Sequence, residues 1–124
     1  MGELMAVRHH HVAAVCVVLA LLPLSAGADG DGSNWGKITE FYVDAKMTVM
    51  RLHFSRPVVN PGKCEAADFY MLELDGSPAS ENFVKILLAA HLADRKVKFW
   101  IDGCTKAQWW GKTQPLIYDV YIGD

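Results

Sequence analysis

Between residues 38 and 122 apolar and polar positions alternate in short runs, interrupted once by a stretch with helical spacing. Residues 38–43 (ITEFYV) and 48–54 (TVMRLHF) are rich in β-branched and aromatic side chains and predict two strands joined as a hairpin. Within 48–54, Met50, Leu52 and Phe54 share one face and Arg51 and His53 the other. Residues 69–74 predict a third strand, ended by Asp75-Gly76. Ser77 then offers an N-cap, and Pro78 suits a first helical turn because its missing N–H would be unpaired there anyway. Phe83, Ile86, Leu87 and Ala90 repeat at helical spacing and predict a stripe laid against a sheet. Residues 96–102, with Val97, Phe99 and Ile101 inward, and 116–122 predict a fourth and a fifth strand.

The order strand, strand, strand, helix, strand, strand is that of the OB-fold, a small five-stranded barrel with a helix between strands 3 and 4. The expected fold class is therefore mainly β and OB-fold-like. A two-layer α+β sheet has the same element order. An immunoglobulin-like sandwich needs about seven strands and no mid-chain helix.

The N-terminus follows a different pattern. Arg8 and His9, His10 and His11 precede an apolar run from Val12 to Leu22, Pro23 breaks it, and Ala26-Gly27-Ala28 follows. That is the layout of a secretory signal peptide. The run falls short of the roughly 20 apolar residues that cross a membrane, and no later stretch could span one. We expect cleavage after Ala28, taking Cys16 and the histidines with the leader. The expected organisation is a signal peptide over 1–28, a flexible tail over 29–36, and one domain over 37–124. The exported protein is expected to be secreted or periplasmic.

Composition changes the picture in two places. Cys64 and Cys104 remain after cleavage, in a compartment where disulfides persist, and an even pair has one internal connectivity. A zinc site wants four ligands, and no Cys-x-x-Cys or histidine cluster supplies the rest. The pair is expected as a disulfide. Net charge is −2 and stays there once the leader, with one Arg and one Glu, is gone. Nucleic acid demands a concentrated basic face, so it is not an expected partner.

Several short motifs carry a resemblance: GKITEF opening the first strand, NPGKC before the third, ILLAAHLADRKVKFWIDGC as helix into strand, and the closing PLIYDVYIG. Together they resemble small secreted bacterial proteins of unknown function. The fold of those proteins is similar to the B subunits of AB toxins of the subtilase-cytotoxin type, which form rings of five and bind cell-surface glycans. The resemblance spans nearly the whole exported chain. It implies an OB-fold, a glycan or other cell-envelope ligand, and a homo-oligomer. Cys64 and Cys104 are the residues it carries over.

Candidate chemistry concentrates between the last two strands, in Thr105-Lys106-Ala107-Gln108-Trp109-Trp110-Gly111-Lys112-Thr113-Gln114. In OB-folds this loop and the face of strands two and three make the usual binding surface. Paired tryptophans offer flat apolar faces with one donor each, or else fold back to close the barrel end. Trp109, Trp110 and Lys112 are the expected ligand-binding residues. Trp35 and Trp100 read as structural.

No catalytic residue, metal or cofactor is expected. His53 and Ser55 share a strand face but lack a third partner. His91, near the end of the helix, suits a cation on the macrodipole. Asp29, Asp31, Ser33 and Glu40 mimic a calcium loop, yet Asn34 stands where the sharp turn needs glycine. The reading is an exported non-catalytic binding module; the alternative is an assembly subunit that uses Trp100, Ile117 and Tyr121 as an outward face.

Overall fold

A computed structural model describes residues 30–124. The expected signal peptide and cleavage after Ala28, with Cys16, the histidine tract and Asp29, lie outside the described residues. The elements run β1 (Gly30–Gly32), β2 (Ile38–Val43), β3 (Val49–Phe54), β4 (Tyr70–Glu73), α1 (Pro78–Leu92), β5 (Val97–Cys104) and β6 (Pro115–Ile122). They build one six-stranded mixed sheet in the order β1-β5-β6-β4-β3-β2, with β4 and β6 parallel and all other neighbours antiparallel.

No ladder joins β2 to β5, so the sheet is not closed into a barrel. A single antiparallel bridge, Gly36 to Val97, links the chain just before β2 to the start of β5. Residues 30–36, expected as a flexible tail, instead supply β1 and that bridge. The glycines explain why. A Cβ on Gly30 would lie 2.5 Å from Nε1 of Trp100, so glycine lets the Trp100 indole sit on the added strand. Buried Ser33 fixes the segment further, its Oγ accepting the Phe99 N–H at 2.9 Å and its own N–H donating to the Phe99 carbonyl.

The core lies between one sheet face and α1. Met50 and Leu52 of β3, Tyr70 of β4, Val97, Phe99 and Ile101 of β5 and Ile117 of β6 meet Val84, Leu87 and Ala90 of the helix. Ile86, expected in the helix stripe, is exposed, and Val84 takes its place. Residues 84, 87 and 90 step by three and stay on one face, which leaves 86 pointing away. Ile117, expected outward, is buried as well. Ser77 caps α1 as expected, its Oγ accepting the Ser80 N–H at 3.1 Å. At the other end the His91 ring donates from Nδ1 to the Ile38 carbonyl at 2.9 Å, tying the helix to β2.

Phe54, Tyr70 and Phe99 form an aromatic triangle in this core, with ring centroids 5.2–5.8 Å apart. The Tyr70 hydroxyl accepts the Val59 N–H at 2.9 Å and so anchors the proline-rich loop. That loop leads into the Cys64–Cys104 disulfide, which joins the approach to β4 to the end of β5. Asn60 clamps the turn from both sides, accepting the Cys64 N–H and donating to the Cys64 carbonyl.

Asp44 organises the turn between β2 and β3. Its carboxylate accepts from the Thr48 hydroxyl at 2.7 Å and from the N–H groups of Thr48 and Val49. These bonds, that from the Thr48 hydroxyl foremost, lower its pKa below the ordinary 3.8. Because the folded state prefers the ionised carboxylate, this stabilisation is present above pH 3.8 and is lost as pH falls through the lower folded value. Asp44→Asn is therefore expected to flatten the acid limb of a stability–pH profile. An unchanged acid limb would count against the turn's contribution.

Candidate functional site

Strand alternation leaves a second sheet face on the side away from the helix. In the antiparallel registers Tyr42 lies opposite Arg51, Arg51 opposite Met71, Glu40 opposite His53, and Val49 opposite Glu73. Val49, Phe69 and Met71 are buried in a small apolar cluster of their own, covered by Trp109 from the loop between β5 and β6. The face of strands β2 to β4 and the loop over residues 105–114 thus meet in one place.

The loop is a hairpin held at both ends. At its base, buried Thr105 donates its N–H to the Gln114 carbonyl and accepts the Gln114 N–H on Oγ1. At its tip, Trp109 and Lys112 exchange both backbone hydrogen bonds around Trp110 and Gly111. Both central residues have positive φ, 53° and 82°. This is the type I′ two-residue turn, for which Asn-Gly is the usual choice. Gly111 adopts the left-handed region freely, whereas Trp110 pays roughly 1–2 kcal/mol to be there.

Carboxylates pin the hairpin to the sheet. Oε1 of Glu73 accepts the Ala107 N–H and the Trp109 indole N–H, both at 3.1 Å. The Glu65 carboxylate accepts the Gln108 side-chain amide, and the Ala66 N–H donates to the Thr113 carbonyl.

The two tryptophans consequently differ. Trp109 is half-buried against Phe69 and Met71. Trp110 stays 52% exposed, and its indole lies over Arg51, whose guanidinium carbon is 4.4 Å from the ring centroid. Phe69 and Tyr42 flank the same guanidinium at 5.0 and 5.1 Å, and both meet Trp110 edge-on at 5.6 Å. Arg51 also donates from Nη2 to Oε1 of Glu40 at 2.8 Å, and its side chain is only 19% exposed. A desolvated guanidinium over aromatic faces is a firm support, worth up to about 2 kcal/mol. Lys112 is exposed at the hairpin tip.

Beside this stack stand groups that can hydrogen-bond a ligand. Glu40 is half-exposed and still has a free carboxylate oxygen. The His53 ring lies 3.8 Å from Glu40 and against Phe69. Tyr42, exposed beside Trp110, adds a phenol. Ser55, expected on the same strand face as His53, lies just past the end of β3 and uses its Oγ to accept the Lys37 N–H at 2.8 Å. What the surface offers is stacking on an indole, bordered by one carboxylate, one imidazole and one phenol.

Sequence reasoning singled out Trp109, Trp110 and Lys112, and the structure brings all three onto one hairpin tip. It missed Tyr42, Arg51, Phe69 and Glu73. The signal for Arg51 was present, since alternation puts it and His53 on the face opposite Met50 and Leu52. Phe69 and Tyr42 reach the site through strand register and a loop crossing, neither of which periodicity reveals. Among the described residues no group of three or more His, Cys, Asp or Glu side chains is placed to hold a metal ion, and no helix is long and apolar enough to cross a membrane. Compared with protein-family models, with curated proteins and with solved structures, the chain finds no match.

Proposed function

We propose that the protein is an exported, non-catalytic binding module whose ligand is a glycan, engaged by Trp110 on the face of β2 and β3. The observation that carries this reading is the half-exposed Trp110 indole, held at a costly positive φ over a partly buried Arg51. Strain of this kind persists where surrounding structure over-determines it, and it clusters at functional sites. A rigid indole loses little entropy when a flat partner stacks on it. Sugars present such a flat C–H face and border it with hydroxyls, which Glu40, His53, Tyr42 and Lys112 can bond.

The fold reading that belongs with this function is a partly open OB-type barrel. Support comes from the parallel β4–β6 pair, the helix between β4 and β5, and the Gly36–Val97 bridge that links the chain just before β2 to the start of β5. Export is supported by the leader-like N-terminus and by the disulfide, which suits an oxidising compartment. A glycan-array screen of the oxidised protein over residues 29–124 tests the function. Binding to defined glycans is the expected result; an array with no binding above background would overturn it.

A second reading, an assembly subunit, draws on Trp100, Tyr118, Tyr121 and Ile122, which are exposed on β5 and β6. Mass measurement in solution decides it. A strict monomer across the micromolar range would remove the assembly role.

A further inference from the structure

We propose that the groove around Trp35 is a second binding site, for a sugar carrying an oxyanion. It uses none of the residues around Trp110 and stands or falls independently of that surface. Trp35 divides two open depressions of about 350 and 400 Å³, and Lys96 borders both. The second is lined by Trp35, Gly36, Lys37, Ser55, Arg56 and Lys96.

The backbone here is fixed from two sides, so the groove is preformed. Gly36 exchanges both backbone hydrogen bonds with Val97, and the Ser55 N–H donates to the Lys37 carbonyl at 2.9 Å. A Cβ on Gly36 would lie 2.8–2.9 Å from Phe54, Ser55 and Arg56 side-chain atoms, so the floor is bare backbone closely approached by its neighbours. A Cβ on Gly123 would meet the Trp35 ring at 2.8 Å; the indole rests on that glycine and is 45% exposed.

The charges around the indole are unequal. Asp94 pairs with Lys37 at 2.6 Å and Asp124 with Arg95 at 2.7 Å. Arg56 and Lys96 have no carboxylate partner within 4.0 Å among the described residues. Arg56 donates from Nε to the Trp35 backbone carbonyl at 3.4 Å, which ties the guanidinium to the backbone of that residue and leaves both terminal amino groups without a protein partner among the described residues. A guanidinium presented in this way bonds an oxyanion through two parallel N–H groups. Lys96 adds a point charge, the Ser55 hydroxyl retains a proton to donate, and the indole face takes the ring. Carboxylate, sulfate and phosphate share this chemistry.

Titration of ¹⁵N-labelled oxidised protein with glucose 6-sulfate, glucose 6-phosphate and glucuronate, against glucose and inorganic sulfate, tests the proposal. At least one anionic sugar is expected to shift the Trp35 indole N–H and the Gly36 amide saturably, with the tightest binder naming the anion. Glucose should leave both unmoved, and inorganic sulfate should need about tenfold more ligand because it lacks the ring. Arg56→Ala and Lys96→Ala, both at exposed side chains, should each weaken binding about tenfold. Trp35 resonances unmoved by all three anionic sugars would overturn the site. So would equal shifts with glucose or inorganic sulfate, or undiminished binding in both variants.

Discussion

Replacing Cys64 and Cys104 together by serine is expected to cost about 2–5 kcal/mol and to leave the protein poorly folded near body temperature. The disulfide closes a segment with a sequence separation of 40, for which chain entropy alone gives roughly 4 kcal/mol. A domain this small hides only about 60–65% of the surface that its unfolded chain exposes, so its own core leaves little reserve. The position of the bond adds to the effect. It ties the loop before β4 to the end of β5, and both segments lead directly into the Trp109–Trp110 hairpin or the strands beneath it. Gly62 packs so closely that an added Cβ would lie 3.2 Å from the Cys104 sulfur, which shows how little slack the junction has. Denaturant melts of oxidised wild type and the double variant measure the loss. A difference below about 1 kcal/mol would mean that the core holds these segments without the bond.

Trp109→Ala and Trp110→Asn are expected to behave oppositely. Trp109 covers the apolar cluster of Val49, Phe69 and Met71 and donates its indole N–H to Glu73, so its removal opens a cavity and leaves that carboxylate oxygen with the Ala107 N–H alone. Truncating a buried Trp costs about 3–5 kcal/mol, and partial exposure puts Trp109 near the lower end. Trp110→Asn removes a side chain that is half in solvent and installs a residue suited to the left-handed turn position. Relief of roughly 1–2 kcal/mol of backbone strain offsets loss of the contact with Arg51. The net change is expected to stay within about 1 kcal/mol. A Trp110 variant that unfolds as readily as the Trp109 variant would show that both indoles merely close the structure.

Five of the six strands and the helix were legible because their side chains alternate or repeat with a clear period. β1 was not, because Gly30-Asp31-Gly32 has no apolar pattern; it pairs with β5 only because glycine makes room for Trp100. The helix face was misread by one residue, Ile86 for Val84, since both are apolar and only the sheet decides which is buried. Lack of barrel closure was equally invisible. Closure depends on whether β2 meets β5 in a ladder or at one bridge, and a run of side chains does not encode it. For the site, the Trp-Trp pair stood out by composition, as two adjacent tryptophans in a polar loop. The division of labour between the two was hidden, because Trp-Gly occupies a turn whose usual signature is Asn-Gly, and because Glu73 selects Trp109 through a contact 36 residues distant. Arg51, the support beneath Trp110, was placed on the correct face but could not be connected to a loop more than fifty residues away.

The most direct test of a Trp110-centred glycan surface is one glycan array probed side by side with oxidised wild type and the Trp110→Asn variant. The account predicts that wild type binds at least one glycan, and that the variant, equally stable in a melt, loses at least about tenfold in affinity for it, about 1.4 kcal/mol. Equal binding by the two proteins, or no glycan bound by wild type, would contradict it.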